Sequence, residues 1–156
     1  MGRSVRGKER RGGYQGRIER IIDSAMRRLR GSYRSVTLDN LTFAEARKIK
    51  AFFDGRSEFE ARRYYQEDKV VLKIYPVENL KKLSEEKAKQ VLEKGESVSL
   101  PPMGSYERYL VHNFLKDWKG IETQSFGEGA DRRVEIRPQK FGRSLRRIIK
   151  KIKLFR

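Results

Sequence analysis

The chain of 156 residues contains no cysteine, one histidine and four prolines. Without cysteine there is no disulfide, no thiolate zinc site and no cysteine nucleophile. The lone histidine, His112, excludes a multi-histidine metal site. No metal or other cofactor is therefore expected. No apolar run reaches the roughly 18 residues that a membrane span needs. The first residues are basic but lack an apolar core, so they do not read as a secretory signal. Together these absences fit a reducing compartment, and the cytoplasm is the expected location. No carboxylate pair, metal cluster or nucleophile–base set stands out, whereas nuclease chemistry would want clustered acids for a metal. The expectation is a non-catalytic protein with no small-molecule substrate.

Positive charge is abundant. Lys and Arg number 38 against 21 Asp and Glu, giving a formal net charge of +17 and a pI near 10.3. Such a balance asks for a polyanionic partner, nucleic acid or an anionic membrane surface. The charge is unevenly placed. Residues 1–15 carry five basic residues against Glu9, and residues 139–156 carry eight with no acid. Most of the field therefore comes from the two ends.

Hydrophobic spacing predicts an α+β fold of two small tandem units. Residues 1–14 have almost nothing to bury and read as a disordered basic arm. A helix is predicted from near Gln15, with Ile18, Ile21, Ile22, Ala25, Met26 and Leu29 inside and Gly31-Ser32 as its end. Ser35–Leu38 reads as a strand and Asp39-Asn40 as a turn. Thr42 and Glu45 form a capping box for a second helix with Ile49, Phe52 and Phe53 on its apolar side, closed by Asp54-Gly55. Glu58–Tyr65 and Lys69–Tyr75 then read as a hairpin.

The second half repeats this order of helix, strand, helix, strand, strand. Leu80–Lys94 is a predicted helix with Leu83, Ala88, Val91 and Leu92 inside, and Ser97–Leu100 a strand. A helix capped by Ser105 runs past Trp118 to Gly120. Ile121–Phe126 and Arg132–Arg137 form a hairpin across Gly127–Asp131. The halves align without a gap at an offset of 62: Ser35–Leu38 falls on Ser97–Leu100, Glu45 on Glu107, and Leu72–Pro76 on Val134–Pro138. A duplicated unit predicts matches at core positions and element ends. The expected organisation is an arm at 1–14, a degenerate unit at 15–78, a second unit at 79–139, and a basic amphipathic C-terminal helix at 140–156. In that last helix Leu145, Ile148, Ile149 and Ile152 form the apolar stripe. The stripe could pack on the body, fold on nucleic acid, or lie on an anionic membrane.

The helix Tyr106–Leu115 is the centre of the functional reading. Tyr106, Leu110, Val111, Phe114 and Leu115 make an apolar stripe; with Trp118, its aromatics Tyr106 and Phe114 are expected in the core. Arg108 and His112 lie one turn apart on another face. A guanidinium fork beside a two-nitrogen ring, read as a cationic pair, can clamp a phosphate. At the offset of 62, Arg108 falls opposite Ala46 and His112 opposite Lys50, so the first copy keeps the core without the clamp.

From Leu100 to Pro138 the sequence resembles the R3H domain family, named for an R-x-x-x-H signature that Arg108 and His112 match. Pro102-Met103-Gly104-Ser105-Tyr106-Glu107 before it and Gly120–Gly129 and Arg132–Pro138 after it carry the likeness. It looks most like the R3H module at the C-terminal end of bacterial Jag proteins. The resemblance implies an antiparallel three-stranded sheet with helices on one face, and binding of single-stranded nucleic acid with Arg108 and His112 near a phosphate. Jag proteins place a KH domain before that module; residues 16–77 hold no G-x-x-G loop of that kind and read as a degenerate R3H-like unit instead.

The resulting expectation is a binder of single-stranded RNA or DNA, RNA favoured, working through backbone phosphates. Arg132, Arg133 and Lys140 would add positive charge beside the pair, and Tyr109 or Phe126 would stack bases. The alternative is a membrane-surface or protein adaptor using the C-terminal helix. The oligomeric state is open.

Overall fold

A computed structural model describes the backbone of residues 5–140, and side chains from residue 13. The helix expected at 140–156 lies outside the described residues except for Lys140. Among the described residues the fold is α+β, with four helices and two three-stranded antiparallel sheets. The chain divides into two units within its third helix, between Leu83 and Ser84.

The first unit opens with α1 (Val5–Leu29). It starts at Val5, well before Gln15, so most of the arm expected at 1–14 is helical. Arg, Lys and Glu are good helix formers and no proline interrupts them, which outweighs the cost of Gly7, Gly12 and Gly13. Ile18, Ala25 and Leu29 are buried at helical spacing, and Gly31, at φ +68°, turns the chain away. β1 (Val36–Leu41) runs through Asp39-Asn40, where a turn was expected. Its pairing with β3 shifts between Leu38 and Leu41, and Asn40 takes φ +53°. Those two residues form a bulge, which Asn tolerates, and buried Leu41 keeps the strand on the sheet.

Thr42 caps α2 (Phe43–Asp54) in a complete capping box with Glu45. β2 (Glu60–Gln66) and β3 (Lys69–Tyr75) make the hairpin, and the sheet order is β1-β3-β2. Leu29, Ile49, Phe53, Val70, Leu72 and Ile74 form the heart of this core. Asn79, on α3 (Val77–Lys94), closes the end of α1 by donating to the carbonyls of Leu29 and Ser32 at 3.2 and 2.8 Å.

In the second unit, α3 buries Ala88 and Val91. Leu92, expected inside, is 48% exposed. It sits one position further round the helix and covers Gly120, whose added Cβ would lie 3.0 Å from Leu92 Cδ2. β4 (Val98–Ser99), β5 (Ile121–Phe126) and β6 (Arg133–Pro138) make a sheet ordered β4-β6-β5. A 3-10 turn at Gly129–Asp131 lies between the last two strands.

α4 (Ser105–Leu115) packs on this sheet through Leu110, Val111 and Leu115, against Val134 and Ile136. Gly104, not Ser105, occupies the cap position, with no side-chain cap. The helix ends at Leu115, short of Trp118. Gly120, at φ +86°, then delivers the chain into β5. Tyr106, Phe114 and Trp118 are half-buried where full burial was expected. A three-stranded sheet is too narrow to cover every ring on an 11-residue helix.

Strand pairing repeats between the units at the offset of 62. Val36 faces Ile74, and Val98 faces Ile136. Glu60 faces Tyr75, and Glu122 faces Arg137. α2 and α4 start at equivalent positions, Phe43 and Ser105, and Glu45 and Glu107 are both buried.

Candidate nucleic-acid interface

α4 is fixed to the sheet by its apolar side, which leaves Arg108, Tyr109 and His112 at its margin. β5 alternates: Ile121, Thr123 and Ser125 face the helix, while Glu122, Gln124 and Phe126 face away. His112 joins the two elements. Its Nδ1 lies 2.7 Å from Thr123 Oγ1 and its Nε2 3.0 Å from Ser125 Oγ. Burial, and then the positive charge of Arg108, hold the imidazole pKa below its ordinary value of 6.5. The expected cationic pair is thus one guanidinium beside a ring held toward neutrality. In the neutral ring one nitrogen donates to a hydroxyl and the other accepts from one.

Arg108 Nη1 donates to the Met103 carbonyl at 2.8 Å. The Met103 N–H in turn donates to the Arg132 carbonyl at 3.0 Å. These bonds link the α4 guanidinium, the loop before it and the start of β6 in one frame. Arg132 itself is exposed. A guanidinium has five N–H donors, so the bond to Met103 orients the fork without consuming it. Tyr109 is 57% exposed, with Tyr106 stacked beneath it at 5.6 Å between centroids and 25° between planes.

The other predicted site residues lie elsewhere. Phe126 and Arg133 are paired across β5 and β6 and face away from α4. Arg137 covers the Phe126 ring at 4.5 Å and also bonds Glu135 and Gln124, so that ring already has a partner. Arg133 Nη1 reaches the Asp131 carbonyl only at 3.5 Å. Lys140 is exposed beyond β6.

Sequence reasoning missed Thr123, Ser125, Met103 and Arg137. The hydroxyls had a signal: two small polar residues at alternate positions of a strand, on the side Ile121 marks as inward. The Met103 carbonyl had none, because any residue offers a backbone oxygen.

The R3H domain family model matches residues 78–138. Among known proteins, the chain is similar to the RNA-binding protein KhpB of Bacillus subtilis (strain 168). The two are 28% identical over 129 residues, covering 81% of this chain and 48% of KhpB. The chain thus spans about half the length of that relative. Residues 78–138 thus carry an R3H domain, and the chain resembles the Jag proteins.

Proposed function

We propose that the chain binds single-stranded nucleic acid, RNA in preference to DNA, through its phosphates and without catalysis. The observation that carries this reading is the Arg108 guanidinium, oriented by Met103 one turn from a His112 held between two hydroxyls. An approaching phosphate would accept from Arg108. It would also favour a protonated His112, which donates to both hydroxyls and frees both O–H groups to point at the anion. Arg132 stands on the same frame, and Tyr109 with Tyr106 behind it offers a face for one base. The relative's name, an RNA-binding protein, favours RNA, and the cytoplasm is the fitting location.

In this reading residues 15–78 are a degenerate copy of the unit at 79–139, and residues 1–14 and 140–156 supply non-specific attraction. The repeated strand pairing supports the duplication. The amphipathic stripe at 145–152 supports the alternative, a membrane-surface adaptor.

The test compares labelled single-stranded RNA, single-stranded DNA, duplex RNA and anionic vesicles by polarisation and flotation. Tightest binding to single-stranded RNA, weakened several-fold by Arg108→Ala with His112→Ala, is the expected result. Vesicle binding that vanishes on deleting residues 141–156, with no affinity for any strand, would replace this reading by the alternative.

A further inference from the structure

Two of the most exposed large apolar side chains in the first unit stand together. Phe43 opens α2 and is 60% exposed; Tyr65, near the end of β2, is 62% exposed. Their ring centroids are 6.1 Å apart with 32° between planes. Neither ring belongs to the core of that unit. Exposed aromatic rings are costly to leave in water, and a pair of them at a groove is a feature that calls for a ligand.

A groove of about 660 Å³ runs between α2 and β2; Tyr65, but not Phe43, is in its lining. Tyr65, Arg63 and Ala61 line one wall, at alternate positions of β2. Lys50 and Asp54 line the other, on the same face of α2 as Phe43. Lys50 is held by Asp54 at 2.5 Å, whereas Arg63 is exposed with no ion pair among the described residues. β2 is an edge strand of its sheet among the described residues.

We propose that Phe43 and Tyr65, with the groove that Tyr65 lines, form a second binding site for single-stranded nucleic acid, recognising bases by stacking on the two rings. Arg63 neutralises the phosphate that follows the stacked base. The occupant is nucleic acid because exposed rings adjoin a lining that carries Lys50, Arg62 and Arg63 against Asp54 and Glu60. The site differs in kind from the one on α4: rings carry it, where Arg108 and His112 carry the other. It rests on the reading that the chain binds nucleic acid, and gives the first unit a contact of its own.

The experiment uses the full chain and a fluorescent single-stranded oligouridylate, with affinity measured across a salt series. Phe43→Ala with Tyr65→Ala should weaken binding roughly tenfold, the range of one or two lost stacking contacts. The slope of affinity against salt should stay unchanged, because no charge is removed. Tyr65→Trp should keep full affinity. Photo-crosslinking of 4-thiouridine RNA to the unaltered chain should label the peptide containing Tyr65. Wild-type affinity in the double alanine variant, with no crosslink at that peptide and a clear loss in Arg108→Ala with His112→Ala, would overturn this site and leave the α4 reading standing. Failure of the unaltered chain to bind the oligouridylate would overturn both.

Discussion

His112 and Thr123 come from different elements and meet at 2.7 Å, with Ser125 completing the bridge on the other side of the ring. The pair ties α4 to β5. In the folded protein the imidazole pKa lies below 6.5, pushed there by burial and by Arg108. The unfolded chain therefore binds more protons than the folded one as pH falls through that range. Its contribution to stability is present above pH 6.5 and is lost as pH falls toward the lowered value. Melting temperature should drop between neutral and mildly acid pH. His112→Gln should flatten that part of the profile, as a pH series of thermal melts would reveal. A phosphate at the site favours the protonated ring, so strand binding should take up a proton. Calorimetry in buffers of different ionisation enthalpy reads that proton directly.

Arg108 donates to the Met103 carbonyl while facing solvent in part, so its charge and its geometry can be separated. Arg108→Lys keeps a charge but loses the planar fork. Arg108→Ala loses both. The alanine variant should weaken strand binding and lower the slope of log affinity against log salt by about one. The lysine variant should weaken binding with the slope nearly intact. Identical slopes in the wild type and the alanine variant would mean that Arg108 meets no phosphate.

Much of this architecture was legible in residue pattern. Val134 and Ile136 are buried at alternate positions of β6, whereas β3 buries Val71 and Tyr75 as well as Val70, Leu72 and Ile74. Helix periodicity picked out buried residues of all four helices, Leu29, Phe53, Val91 and Val111 among them. It failed at Leu92, where a glycine backbone and not a core was the neighbour. It also misread Asp39-Asn40, because a bulge and a turn ask for the same residue types. At the candidate site, Arg108 and His112 were singled out by their spacing together with the resemblance to the R3H family. What holds them did not: one partner is a carbonyl, and the hydroxyls become partners only when β5 is laid against α4.

The capping box on α2 offers a stability test free of the binding question. The Thr42 N–H donates to Glu45 Oε2 at 2.9 Å, and Thr42 Oγ1 accepts from the Glu45 N–H at 3.2 Å. Glu45 is 2% exposed and its other oxygen pairs with Arg17 Nε at 3.2 Å. Thr42→Ala should cost about 1 kcal/mol in denaturant unfolding. Glu45→Ala should cost more, since it leaves the part-buried Thr42 N–H without its acceptor and Arg17 without its ion-pair partner. Glu45→Gln should fall between them, because an amide oxygen can still accept from Thr42. An alanine at position 45 that is milder than one at 42 would contradict this order.

Gly127 ties the β5–β6 turn to the site. Its φ of +84° is already costly for a residue with a side chain. An added Cβ would lie 2.9 Å from the Asp131 carbonyl oxygen and 3.3 Å from Arg132 Cα. Both neighbours are backbone and cannot swing aside as a side chain would. Gly127→Ala should therefore destabilise the fold by at least about 1–2 kcal/mol. The relief available is a shift of residues 131–132, and the Arg132 carbonyl is the acceptor for the Met103 N–H. Displacement there should pass to the Met103 carbonyl that orients Arg108. The substitution should then weaken strand binding even at temperatures where the protein is fully folded. Gly129→Ala is the control: it also has positive φ, at +52°, but nothing lies within 4 Å of its added Cβ. It should cost stability through backbone strain and leave affinity unchanged, as paired melting and binding curves would show.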